Sequence, residues 1–247
     1  MTAVQSDVVL AHHIATTAGE LLLTLQRSGL FDDKALGKAG DRVANAFIMQ
    51  ALSTARPNDA VLSEEEALDP VRLARSRVWI VDPLDGTREY GESRTDWAVH
   101  IALSINGRAE IGAVALPGLP LTLCSAGDYP PPPAGARRRM LVSRTRPAAE
   151  ALAVAEALGA ELVPMGSAGA KAMAVLRGEA DIYLHSGGQY EWDSCAPVAV
   201  AQAAGLYVSR IDGSPCVYNQ EDPYMPDLLI CRSELAQRVL EAIRQIL

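Results

Sequence analysis

"WIVDPLDGTRE", Trp79 to Glu89, is the stretch on which the reading of this chain turns. The apolar run Val78–Val81 has the look of a buried strand, and it delivers the chain directly into Asp82 and Asp85. Pro83 fixes φ near −65° between the two acids and so stiffens the turn that joins them. Gly86 leaves room for close approach, and the amides of Gly86 and Thr87 can point at an anion. Two carboxylates held close together both stay ionised at neutral pH only if a cation lies beside them. Hard oxygen donors suit Mg²⁺ or Mn²⁺, and the sequence has neither CxxC nor HExxH to suggest zinc. The turn therefore reads as a metal clamp beside a phosphate pocket, which is what phosphoryl transfer requires.

Outward from the turn, three further acids stand at the ends of expected elements. Glu64 and Glu65 follow a short strand, Ala60–Leu62, and Asp193 follows Trp192 where a helix should begin. Each has a simpler reading beside the metal one. Glu64–Glu66 can be a solvated charge run, and Asp193 a helix cap.

The first half of the chain shows two helical patterns, about Ser6–Ser28 and Asp41–Thr54, and then a run of strands. After Val78–Val81 come Trp97–Ile105, Ala109–Gly118 and Leu121–Gly127, expected as neighbours in an antiparallel sheet. The stretch Asp128–Arg139 breaks all periodicity: Pro130–Pro133 favour an extended segment, and Arg137–Arg139 read as a solvated loop. This marks the boundary between an N-terminal half, residues 1–136, and a C-terminal half, residues 137–247. Beyond it strands and helices alternate: Met140–Arg144, Pro147–Gly159, Ala160–Met165, Ser167–Gly178, Ala180–His185, Trp192–Gly205 and Leu206–Arg210. A final helix follows, with Ser233 as its expected cap. Such alternation predicts an α/β layer, a sheet with helices on both faces.

Composition bounds the class. At 247 residues, 49% hydrophobic and 21% charged, the chain matches an ordinary globular protein. A net charge of −8 argues against a nucleic-acid polymer as partner. The N-terminus lacks a basic region followed by an apolar stretch, and no apolar run approaches the ~20 residues that span a bilayer. Four scattered cysteines read as reduced, mostly buried thiols, so the expected setting is cytoplasmic, with no membrane partner. Cys195 beside Asp193 is in the wrong electrostatic setting for a nucleophilic thiolate.

Taken together, "LSEEE", "WIVDPLDGTREY" and "EWDSCAPVAVAQAAG" resemble the inositol monophosphatase superfamily of Mg²⁺-dependent, lithium-sensitive phosphatases, over nearly the whole chain. The resemblance implies an αβαβα sandwich. It also implies two or three Mg²⁺ ions per site, with Mn²⁺ a possible substitute, and a monomer or homodimer. Carried over by position, Glu64, Asp82, Asp85 and Asp193 would be metal carboxylates, the Leu84 carbonyl a further ligand, and Glu65 would stand just outside them. Asp41, 23 residues before Glu64, would pair with Thr87 to activate water. The family's T-x-A-D run appears here as "KAGDRVAN", so only the acid itself matches, and a helix cap remains the alternative for Asp41.

Within the superfamily, "DPLDGTREY", "LVSRTR" and "GSAGAKAMAVLRGEADIYLH" resemble the CysQ-type branch that acts on 3′-phosphoadenosine 5′-phosphate, and its actinobacterial forms most of all. That branch would place Gly86, Thr87, Arg88, Ser143, Arg144, Ser167, Lys171 and His185 beside the nucleotide. His185 stands where the branch often has arginine, and Lys171 could equally be a solvent-facing helix lysine. The implied reaction is hydrolysis of the 3′-phosphate to AMP and phosphate in sulfur metabolism. The alternatives are an inositol-1-phosphate or fructose-1,6-bisphosphate phosphatase built on the same metal core, or a binding module without catalysis.

Overall fold

The structure, a computed structural model, describes residues 6–130 and 137–246. Two long helices open the chain, α1 (Asp7–Arg27) and α2 (Asp33–Ala55). Five strands follow: β1 (Ala60–Ser63), β2 (Arg77–Asp85), β3 (Ala98–Ile105), β4 (Arg108–Leu116) and β5 (Leu121–Cys124). They form one sheet in sequence order, with β1 parallel to β2 and every other pair antiparallel. A single turn of helix, α3 (Thr87–Gly91), sits between β2 and β3.

The second half runs β6 (Arg139–Ser143), α4 (Ala149–Leu158), β7 (Glu161–Met165), α5 (Ala168–Leu176), β8 (Ile182–Tyr190), α6 (Glu191–Ala203), β9 (Tyr207–Ser209), β10 (Tyr224–Cys231) and α7 (Ala236–Ile246). Its sheet has the order β7-β6-β8-β10-β9, parallel through β6 and antiparallel at β10.

Strand periodicity assigns the layers. On β2, Trp79 and Val81 face a core shared with α1 and α2, while Val78 and Ile80 face the opposite way, into a core shared with α5 and α6. On β3, Val99, Ile101 and Leu103 face α1 and α2, while Ala98 and Ala102 face α5 and α6. A third core joins the second sheet to α4 and α7. The result is the expected αβαβα sandwich, with α5 and α6 as its central layer.

Several local expectations are corrected. α2 starts eight residues before Asp41, after Asp32, so Asp41 lies inside the helix and caps nothing. Gly37 and Gly40 weaken the helical pattern there, and packing requires both: a Cβ would come within 2.6 Å of Thr87 Cγ2 and 2.8 Å of Tyr90 Cε1 respectively. β2 does not end at Val81 but runs on to Asp85 through a register shift against β3, and Pro83 falls within the shifted stretch. β10 has no counterpart among the expected strands, because Pro226 interrupts its pattern at another irregularity. Ser233 lies in a short 3₁₀ turn before α7, and its Oγ donates to the Gly205 carbonyl instead of capping the helix.

Arg139 is no loop residue: it starts β6, and its guanidinium donates to the Gly178 carbonyl. The proline run, from Pro131 on, lies outside the described residues, as do the first five residues of the N-terminus. α1 is long and apolar enough to span a bilayer by length and composition. Its stripe Leu10, Ile14, Ala18 and Leu22 is buried in the core against α2 and the first sheet. All four cysteines are free thiols, two buried and two half-buried.

Candidate active site

The site forms where the C-terminal ends of β1 and β2 meet the N-termini of α5 and α6. One carboxylate oxygen each from Asp82, Asp85 and Asp193 lies within 4.8 Å of the others, although Asp193 is 108 residues beyond Asp85 in the chain. Asp82 and Asp85 are almost wholly buried. Glu64, an exposed residue just past the end of β1, stands at the rim of this group, its carboxyl hydrogen-bonded with Asp82 and its amide donating to the Val81 carbonyl across the parallel pair at 3.2 Å.

These acids differ in how they are held. Asp82 Oδ1 accepts the Leu84 amide at 3.0 Å. Asp85 is anchored through both oxygens by the start of α5: Oδ2 accepts Ser167 Oγ at 2.5 Å and the Gly169 amide at 2.7 Å, and Oδ1 the Ala168 amide at 3.1 Å. Burial alone would raise the Asp85 carboxyl, but the adjacent His100 and these donors hold it below the ordinary range. Asp193 Oδ2 accepts the Tyr190 amide at 2.7 Å, so the capping reading and the cluster reading both describe it.

Elsewhere in the cluster protons bind too tightly for isolated acids. Burial, then Asp85 and Glu64, pushes Asp193 up to about 7. Burial and the neighbouring acids push Glu64 up to about 7 as well, against a hydrogen bond with Asp82. Burial followed by Glu64, Asp85 and Asp193 lifts Asp82 well above its usual value.

The other expected residues divide into those with free ends and those already engaged. Thr87 Oγ1 lies 3.4 Å from Asp41 Oδ1 and 3.1 Å from the Leu84 carbonyl, so the expected pair is in place. Burial and Glu65, opposed by the Thr87 hydrogen bond, raise Asp41 to about 7. Glu65 is exposed, its amide 3.4 Å from Ser63 Oγ. Gly86 adopts φ +92°, a left-handed conformation that glycine enters without strain, and turns the chain from β2 into α3.

A cavity of about 240 Å³ opens beside the acids, and Arg88, Ser143, Arg144, Lys171 and His185 all line it. Ser167 spends its hydroxyl on Asp85 and caps α5 by accepting the Ala170 amide. Lys171 is buried rather than solvent-facing, and its Nζ donates to the Ser167 carbonyl at 2.5 Å and the Gly166 carbonyl at 3.2 Å. Arg144 is tied to Glu89 at 2.7 Å and Glu92 at 2.8 Å, which fastens the second half to α3. Ser143 Oγ accepts the Arg146 amide, and His185 Nε2 sits 2.8 Å from the Gly187 carbonyl.

Two residues escaped the sequence reading. Arg146 lines the cavity and, among the described residues, its guanidinium has no ion pair. His100 is fully buried on β3, opposite Asp82 in the strand register. A signal for it existed: His100 is the one imidazole in the apolar run Trp97–Leu103, on the strand that pairs with the acid-bearing turn.

Residues 6–128 and 135–247 match the model of the inositol monophosphatase family. The chain belongs to that family. A 3′-phosphoadenosine 5′-phosphate phosphatase of Mycobacterium leprae is 49% identical over 259 aligned residues, covering 98% of this chain and 94% of the relative. The protein of the same name from Mycobacterium bovis is 52% identical over 237, covering 92% and 89%. Among solved structures, CysQ from Bacteroides thetaiotaomicron superposes with a TM-score of 0.79 at 27% identity, covering 94% of this chain and 99% of that one.

Members of this inositol monophosphatase family are metal-dependent, and the donor set here fits a hard divalent cation. Among the described residues the group that could hold an ion is made of oxygen donors, one from each of three carboxylates within 4.8 Å of the others, and two of the three bind protons well above the ordinary range. A cluster that retains protons at neutral pH is one whose charge a cation would balance.

Proposed function

We propose that this chain is a Mg²⁺-dependent phosphomonoesterase that hydrolyses the 3′-phosphate of 3′-phosphoadenosine 5′-phosphate to AMP and inorganic phosphate. The carboxylate cluster beside a basic cavity carries this reading, and relatives near 50% identity that bear the name of that activity support the substrate. The place of such a reaction is the cytoplasm, where it removes the nucleotide by-product of sulfotransfer and sulfate reduction.

Glu64, Asp82, Asp85 and Asp193, with the Leu84 carbonyl, would hold the metal, and Glu65 would stand just outside them. Mg²⁺ held there would lower the pKa of a water and would offset negative charge on the phosphoryl group and the leaving oxygen. Asp41 and Thr87 orient the attacking water: the Thr87 hydroxyl accepts a hydrogen bond from it while donating to Asp41. A carboxyl that titrates near 7 is matched to taking up a proton at neutral pH. The water gives up a proton toward Asp41 through Thr87 as its oxygen bonds to phosphorus and the ester bond breaks, and the departing 3′-oxygen takes a proton from a solvent water. The amides of Gly86 and Thr87 hold phosphoryl oxygens.

The second phosphate of the substrate meets the basic side of the cavity. Arg144 is engaged with Glu89 and Glu92, so Arg146 supplies the free guanidinium, beside Lys171 and His185. Burial lowers the His185 imidazole most, and Lys171 and then Arg146 stand close enough to lower it further. Arg146 thus restores the cation lost where His185 replaces the usual arginine.

Phosphate release from 3′-phosphoadenosine 5′-phosphate, inositol 1-phosphate and fructose 1,6-bisphosphate tests the proposal, each with Mg²⁺, with EDTA and with added Li⁺. Mg²⁺-dependent, lithium-inhibited preference for the nucleotide is expected. Equal turnover of the sugar or inositol phosphates would overturn the substrate, and release unaffected by EDTA would overturn the metal.

A further inference from the structure

We infer that His100 is a positioning residue that sets Asp85 and Asp193 against each other, by touching the Asp85 carboxylate with one ring nitrogen and the carbonyl next to Asp193 with the other. The inference rests on the metal-dependent reading above and concerns how this chain holds its ligand carboxylates.

Strand alternation puts His100 on the face of β3 that looks into the central layer, between Ala98 and Ala102. It is 0% exposed there. Space for the ring exists because residue 169 has no side chain: a Cβ on Gly169 would lie 2.0 Å from His100 Nε2.

The two contacts run in opposite directions. Nδ1 lies 3.0 Å from the Trp192 carbonyl, which can only accept, so Nδ1 carries a hydrogen. Nε2 lies 3.2 Å from Asp85 Oδ2, the same oxygen that Ser167 and Gly169 hold. Among the described residues Nε2 has no hydrogen-bond partner, so a fully buried polar atom stands 3.2 Å from the cluster through this one contact.

Asp85 Oδ2 is thereby met by three groups, Ser167 Oγ, the Gly169 amide and His100 Nε2, while Oδ1 keeps the Ala168 amide. Trp192 immediately precedes Asp193, so the same imidazole also fixes the first turn of α6. One side chain on the first sheet thus joins the Asp85 carboxylate to the backbone that carries Asp193, 108 residues further along the chain. Groups that orient ligands in this way typically change metal affinity by ~10–100-fold when removed.

The test uses the full chain with His100→Asn and His100→Leu. Three quantities are read: Mn²⁺ binding without substrate, by electron paramagnetic resonance or calorimetry; the metal-free melting temperature; and KM against kcat at saturating Mg²⁺. Expected for His100→Asn is at least a tenfold loss of Mn²⁺ affinity, a melting temperature within a few degrees of wild type, and a fall in kcat with KM unchanged. Should His100→Leu fail to fold, the asparagine variant decides alone, since it is polar and smaller than the native ring. Unchanged Mn²⁺ affinity in a folded variant overturns the inference. So does a loss of affinity matched by a collapse of the melting temperature, which would mark a packing role. Absence of Mn²⁺ binding by the wild-type chain overturns the metal reading as well, and so separates the two failures.

Discussion

Asp193→Asn should make the metal-free protein more stable, not less. The side chain is folded into a cluster that raises its carboxyl from 3.8 to about 7, burial being the largest cause and Asp85 the next. A carboxyl raised in this way favours folding only while it is protonated. Its contribution is therefore full below pH 4 and is lost as pH rises from about 4 to about 7. At about 1.4 kcal/mol per pH unit, the shift corresponds to roughly 4 kcal/mol lost at pH 7 and above, but only about 1.6 kcal/mol at pH 5. The cluster shares its protons, so about half of that ceiling, ~2 kcal/mol, is the figure to plan on at pH 8.

Asparagine keeps an oxygen to accept the Tyr190 amide and removes the charge. For a chain of this size 1 kcal/mol moves Tm by roughly 2–4 °C, so metal-free Asp193→Asn should melt about 4–8 °C above wild type at pH 8. The gap should shrink toward pH 5. Saturating Mg²⁺ should close or reverse it, because only wild type gains the full binding free energy. Thermal melts in EDTA and in Mg²⁺ at pH 5 and 8 provide the readout. A variant that is less stable in EDTA at pH 8, or a gap that ignores pH, refutes the reasoning.

Three more outcomes are expected. Thr87→Val and Asp41→Asn should each lower kcat by ~10²–10⁴ with little change in KM, measured by phosphate release at saturating Mg²⁺. Arg146→Ala should raise KM for 3′-phosphoadenosine 5′-phosphate by roughly tenfold or more while leaving inositol 1-phosphate, which has no second phosphate, nearly unaffected. Asp59→Asn should cost about 1–3 kcal/mol at pH 7, read by denaturant melts, because Asp59 accepts from Arg77 at 2.8 Å and from Trp79 Nε1 at 3.0 Å. Burial opposes but these donors lower the Asp59 carboxyl, so that contribution is present above its unfolded value near 3.8 and is lost as pH falls through the lower folded value.

Much of this was legible in the chain because the decisive residues sit where local rules act. A strand, a proline and a glycine in series fix a turn, and Asp82, Asp85 and Thr87 follow from it without knowledge of the rest. The parts that escaped depend on packing between distant segments. The sequence pattern sets Asp41 at a helix start because glycines weaken the pattern before it, and the approach of Thr87 and Tyr90 explains why α2 contains them. Ser167 and Lys171 both line the cavity, but that the hydroxyl of one meets Asp85 and the ammonium of the other two backbone carbonyls depends on how α5 packs against the end of β2, which no local pattern records. Arg144 and Arg146 cannot be told apart by sequence, because their difference lies in Glu89 and Glu92, more than fifty residues away. The strand β10 was lost to a proline that a sheet irregularity accommodates.

That the carboxylates come from both sheets' neighbourhoods has a consequence for biosynthesis. A ribosome that has released the chain only through the first sheet has delivered Asp82 and Asp85 without the α5 amides that hold Asp85 or the α6 acid that completes the cluster. On the proposed reading such an intermediate lacks the ligands to hold a divalent ion and would leave a phosphate ester uncleaved. A slip of α6 by one turn, about 5.4 Å, would exceed the 4.8 Å within which the three acids now meet. If those acids hold the metal as proposed, hydrolysis would be a report on assembly: turnover would begin only in molecules whose two halves have closed in register, and partly folded chains would stay chemically silent.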